Sequence, residues 1–218
     1  LAQSMMPRIV RVLSQSNVKI RPDIVTATTR RIHRLVYQQR LDIGLVLEGE
    51  IKTSADKLIW QHIAASEIVL LVPPTHPMAK RREPLELAEL CRLPLIVNEP
   101  RIGYGRSVLA TFSEHDLVPE IVADCDDLES LKYMVVSGGG IALAPRIVAE
   151  REIARGLLTA VPINPGQPVS VQLLRREEPL PPRLERFRNH FVKDLNELRL
   201  APESPRSALP SARAAKSA

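Results

Sequence analysis

Aromatic side chains are scarce: Phe, Trp and Tyr together make up 3% of the 218 residues. A surface that stacks exposed bases needs several of them interleaved with basic residues, and no stretch has that pattern. Direct nucleic-acid binding is therefore not expected of these residues, despite a net charge of +5. The charge is also uneven: residues 107–150 hold two basic and eight acidic side chains, and the rest hold 28 and 17. Long hydrophobic runs are missing too. No apolar stretch reaches the roughly 18 residues that a membrane span requires. The first fifteen residues carry Arg8 and Arg11 inside an amphipathic pattern, unlike a secretory leader. Leu1 is not an initiator methionine, so the chain reads as a fragment.

Cysteine is limited to Cys91 and Cys125, too few and too distant for a scaffold of bridges. That fits a reduced, cytoplasmic setting. The five histidines show no ligand spacing, so no metal is expected. A Gly-x-Ser-x-Gly elbow and a phosphate-cradling Walker loop are both lacking, so neither catalysis nor a cofactor is expected.

What is present is enough apolar sequence, 44%, for one large or two small cores. The most informative stretch is Met134-Val135-Val136-Ser137-Gly138-Gly139-Gly140-Ile141-Ala142-Leu143-Ala144-Pro145. Glycine stops a helix by accepting left-handed backbone, and the apolar run after it reads as a buried strand. This is an α-to-β joint of an α/β layer, either purely structural or facing a ligand.

Upstream, Met5, Met6, Ile9, Val10 and Leu13 share one face of a helix over 2–16. Alternation of Val18, Ile20 and Ile24 predicts a strand over 18–25. Thr28 or Thr29 caps a helix with the stripe Ile32, Leu35, Val36. Residues 41–47, apolar on both sides, predict a strand in a parallel sheet covered by helices. A crossover needs a strand before its first helix, so a strand near the middle of this sheet is expected to be missing. Extended runs are expected at 57–64 and 67–73. Alternating helices and strands then follow through 175, and a helix at 183–198 has the seam Leu184, Phe187, Phe191, Leu195, Leu198. Residues 201–218, mostly Ala, Ser and Pro, read as a disordered tail. Extended crossings near 67–74 and 160–169 suggest two lobes and a hinge: 1–68 with 168–200, and 69–167. A cleft between them is the natural small-molecule site.

Four local patterns together resemble the effector-binding domain of LysR-type bacterial transcriptional regulators. They are Met6-Pro7-Arg8-Ile9-Val10; Thr28-Thr29 followed by Leu41-Asp42-Ile43-Gly44-Leu45; Val69-Leu70-Leu71-Val72-Pro73 with Thr75-His76-Pro77-Met78-Ala79; and 136–145, similar to the family's Val-x-x-Gly-x-Gly signature ending in Pro. The match covers about 1–199. It implies a two-lobed, periplasmic-binding-protein-like α/β fold (type 2), with a mixed sheet in each lobe and two crossing strands as hinge. It also implies a cytoplasmic homodimer or homotetramer that senses a small molecule, and DNA contact only through a winged helix-turn-helix not in these residues. The first regulatory strand, which often carries an effector contact, is not in these residues either. A solute-binding protein of a transport system shares the architecture and is the alternative.

Candidate effector-binding residues are Gln3, Thr28 and Thr29 at helix starts, where free N–H groups and the helix dipole suit a carboxylate. Asn98, Arg101, Gly103, Tyr104, Gly105 and Arg106 surround a Gly-containing loop, with either arginine able to fork onto a carboxylate. Asp126, Asp127 and Leu128 open another helix, where the acids either cap it or receive an ammonium group. An amino-acid-like effector or an organic acid fits this set. The resemblance implies pairing of protomers through Met5, Ile9 and Leu13 of the first helix, with Met6 and Val10 assigned to the core.

Overall fold

The computed structural model describes residues 2–15, 20–48, 57–98, 100, 101 and 103–197, apart from the side chains of 2–4, 196 and 197. The tail at 201–218 lies outside the described residues. The fold is α/β, with strands in a mixed arrangement.

The chain opens with α1 (Ala2–Gln15) and, after residues 20–28 without regular structure, α2 (Thr29–Tyr37). Thr28 caps α2: its hydroxyl oxygen accepts from the Arg31 amide at 3.3 Å. Strand β1 (Ile43–Glu48) pairs antiparallel with β8 (Pro168–Arg176), which in turn pairs with β2 (Leu58–Val72). The far half of β2 takes β6 (Ile141–Pro145) and β7 (Thr159–Asn164). Parallel strands β4 (Leu95–Asn98) and β5 (Ile121–Cys125) extend the sheet beyond β6. A two-residue β3 (Leu85–Glu86) pairs with β7.

Helices cover both faces. On one face of β1 and β8, α2 buries Ile32 and Val36 against Val46, Leu58 and Leu174. Gly44 is what lets it approach, because a Cβ there would lie 2.5 Å from Ile32 Cγ2. On the other face, Met5 and Val12 of α1 and Phe191 and Leu195 of α7 (Pro182–Glu197) join the main core with Leu47, Val171 and Leu173. Asp194 accepts from both Arg8, at 3.3 Å, and Arg11, which fastens α1 to α7. Of the remaining helices, α3 (Leu87–Leu90), α5 (Leu128–Val136) and α6 (Arg146–Ala154) pack against the second half of the sheet, and α4 (Gly103–Glu114) reaches β1. Lys132 of α5 is buried and bridges Glu129 at 3.0 Å and Glu152 of α6 at 3.1 Å, while donating to the Val148 carbonyl.

Several expectations are corrected. Of the strand expected over 18–25, residues 18 and 19 lie outside the described residues; 20–25 alternate but pair with no described strand. The apolar run at 43–48 pairs antiparallel, not parallel, so β1, β8 and β2 form an antiparallel set and the mixed pairing lies on the β2–β6–β4–β5 side. Burial on both faces, not strand direction, is what that run encodes. The two runs at 57–64 and 67–73 are one 15-residue strand with a register shift between His62 and Ala64. Val10 is 57% exposed, so it is not core.

The triple glycine is a structural joint. Gly138 (φ 79°) and Gly140 (φ 152°) turn the chain from α5 into β6, and a Cβ on Gly140 would lie 2.8 Å from Ile96 Cδ1. It does not line the cavity described next.

Candidate functional site

A cavity of about 460 Å³ opens beside β1. Four segments contribute polar residues to its lining. Thr29, the first residue of α2, comes from one side. Asn98 ends β4 and is 3% exposed, and Tyr104 lies in the first turn of α4. Asp126, Asp127 and Leu128 come from the β5–α5 junction. Gly103 explains how α4 closes on β1: it sits at φ 56°, and a Cβ there would lie 3.3 Å from the Leu47 carbonyl oxygen and 3.7 Å from Thr29 Oγ1.

Two of these polar groups are fixed by internal bonds. Asn98 Nδ2 donates to the Cys125 carbonyl at 2.8 Å. Asp127 caps α5, accepting from the Ser130 amide at 2.8 Å and its hydroxyl at 2.7 Å. Partial burial pushes the Asp127 carboxyl up, but these bonds and the Glu129 amide outweigh it and hold the group below the usual aspartate range. Asp127 thus stays an anion, and Asp126 beside it is exposed. Basic residues Arg21 and Arg40 reach other parts of the lining.

The other candidates are elsewhere. Thr28 is occupied in capping and is not in the lining. Arg101 and Arg106 are exposed, Gly105 is buried within α4, and none of the three lines the cavity. The Gln3 side chain lies outside the described residues. Met5 is 1% exposed within the chain's own core, whereas Ile9 and Leu13 face the cavity.

The sequence reading missed the apolar length of this site. Residues 20–27 and 41–47 and Leu184, Phe187 and Phe191 of α7 also line it. The seam of α7 was legible, but a seam that meets a neighbour and one that meets a void have the same pattern. Among the described residues no group of His, Cys, Asp and Glu could hold a metal, and no helix is long and apolar enough to cross a membrane.

Comparison with known proteins identifies the family and the fold. The family described as LysR substrate binding domain matches residues 1–196. An uncharacterised HTH-type transcriptional regulator of Mycobacterium bovis is 25% identical over 172 residues, 75% of this chain and 54% of that protein. The HTH-type transcriptional regulator cbl of Klebsiella aerogenes is 27% identical over 149 residues, 65% of this chain and 44% of that protein. The chain thus spans about half the length of the curated relatives it matches. In structure, it is similar to the CcmR regulatory domain of Synechocystis PCC6803 in complex with 2-PG, with a TM-score of 0.76 at 18% identity, covering 90% of this chain and 94% of that one. The effector binding domain of QuiR in complex with shikimate gives 0.70 at 16% identity, covering 88% and 91%. With one family spanning nearly all of the described residues, the chain belongs to the LysR substrate binding domain family, the effector-binding domain of LysR-type transcriptional regulators.

Proposed function

We propose that this chain senses a small metabolite for a DNA-binding regulator, and that the metabolite's polar head sits between Thr29, Asn98, Tyr104, Asp126 and Asp127. The observation that supports this is that these residues, from four separate segments, all line one cavity. The start of α2 offers amide donors to a carboxylate, and the paired aspartates offer charge to an ammonium group. An amino-acid-like effector or an organic acid suits that head. Similar domains in complex with 2-PG and shikimate support a small polar ligand.

In this reading the chain has two lobes, 1–68 with 168–200 and 69–167, hinged where β2 and the segment 160–169 cross. The ligand acts through its different affinity for two lobe arrangements. Protomers pair through α1 in the cytoplasm as a dimer or tetramer, and a separate winged helix-turn-helix reads DNA. Leu128 lines the cavity beside Asp127, whereas Thr28, Arg101, Gly103, Gly105 and Arg106 are not in its lining; Met5, Ile9 and Leu13 belong to the pairing helix.

Titration calorimetry against neutral and basic amino acids, opines and organic acids tests the reading. Saturable binding that Thr29→Val and Asn98→Ala weaken about tenfold or more supports it. Binding that neither substitution changes overturns the site. Binding only of acids that lack an amine removes the amino-acid-like class.

A further inference from the structure

We propose that the effector carries a primary ammonium group, which donates to the side-chain oxygen of Asn98 and to the carboxylates of Asp126 and Asp127. This rests on the effector site proposed above and narrows its ligand to the amino-acid-like class. Asn98 is the group that decides. It is 3% exposed and lines the cavity. A carbonyl only accepts, so the bond to the Cys125 carbonyl comes from Nδ2 and fixes which way the amide is turned. That leaves Oδ1 as the other end, and among the described residues no group donates to it. A buried acceptor without a donor is unfavourable, so a ligand at this position has to bring one.

The neighbours of Asn98 ask for the same thing. It pairs with Cys125 across β4 and β5, and Asp126 and Asp127 follow Cys125 directly. Both aspartates line the cavity, and Asp127 stays ionised. An ionised carboxylate has about four acceptor positions. The amide and hydroxyl of Ser130 and the amide of Glu129 take three of those on Asp127. Between 98 and 128 the lining contains no Lys or Arg, and the Tyr104 hydroxyl either donates or accepts. A ligand carboxylate set against this wall meets like charge with no cation to offset it. A hydroxyl brings one donor and no charge, whereas a primary ammonium brings three donors and the opposite charge. A carboxylate on the same ligand belongs at the start of α2, where Thr29 lies.

The test is titration calorimetry of the 218-residue chain with the standard amino acids. The tightest binder is then compared with its N-methyl and N,N,N-trimethyl derivatives, which keep the positive charge, and with the hydroxy acid of the same side chain. Each lost N–H is expected to weaken binding about tenfold, and the hydroxy acid to bind about a hundredfold more weakly. In Asn98→Leu the penalty for the first methyl group is expected to shrink, which bulk alone would not produce. The methylation series on the wild type needs no variant to fold. Equal binding of the parent and its N-methyl form overturns the proposal, as does a hydroxy acid that binds as tightly as the amino acid. Binding of lactate, malate or shikimate without any amino acid overturns it and leaves the effector site standing. Binding of none of these compounds removes the site itself.

Discussion

Asn98 donates from Nδ2 to the carbonyl oxygen of Cys125 at 2.8 Å, tying the last residue of β4 to the last residue of β5. Asn98 lines the cavity, and the bond reinforces the β4–β5 pairing just before the Asp126–Asp127 turn. Asn98→Ala leaves the Cys125 carbonyl without that donor and is expected to lower stability by about 1–3 kcal/mol. Asn98→Asp is expected to do no better, because an ionised carboxylate cannot donate. Urea denaturation of both variants checks this, and equal stability of the aspartate variant and the wild type would refute it.

The adjacent threonines divide two tasks. Thr28 caps α2 through its hydroxyl, and Thr29 faces the cavity. Thr28→Ala is expected to cost about 1 kcal/mol of stability with little change in ligand affinity. Thr29→Val is expected to reverse that pattern, keeping stability and weakening affinity. Paired thermal melts and calorimetry separate them.

Asp127 makes part of the stability depend on pH. Its carboxyl is held below the usual range, so its contribution is fully present above the ordinary aspartate value and is lost as pH falls through the lower folded value. Asp127→Ala is expected to cost about 1 kcal/mol at neutral pH, with the gap to wild type closing below about pH 4. Asp127→Asn is expected to keep most of the cap, since asparagine caps as well, and to lose the pH dependence. Denaturation midpoints between pH 3 and pH 7 measure both.

Lys132 is the most exacting polar residue in the second half of the molecule. It is 4% exposed and neutralises Glu129 and Glu152. Lys132→Met strands partly buried carboxylates and is expected to cost about 3–5 kcal/mol. The double variant Lys132→Met, Glu152→Leu is expected to lose less than the single one, because it removes one of the two stranded charges. A double variant less stable than the single one would show that the ion pair is not what holds α5 to α6.

The sequence was legible where local chemistry decides. Thr28 as a cap, the glycines after α5 and the seam Phe187–Phe191 could all be read, because each depends on residues within a few positions. It was illegible where a distant partner decides. Ile20 and Ile24 alternate like a strand yet form none, since a residue pattern does not say whether a partner strand lies alongside. The expected runs at 57–64 and 67–73 are one strand because β8 pairs across the gap between them. For the site, Thr29, Asn98 and the Asp126–Asp127 turn were found through helix and strand ends. The apolar walls at 20–27 and 41–47 were not, because a void leaves no mark on residue type.

Strand β2 runs unbroken from Leu58 to Val72, holding β8 along one half and β6 and β7 along the other. Neither half can melt without releasing its share of a ribbon that the other half still needs. Denaturation should therefore pass through one cooperative step, and loosening the Leu58 end should speed amide exchange as far away as Leu71.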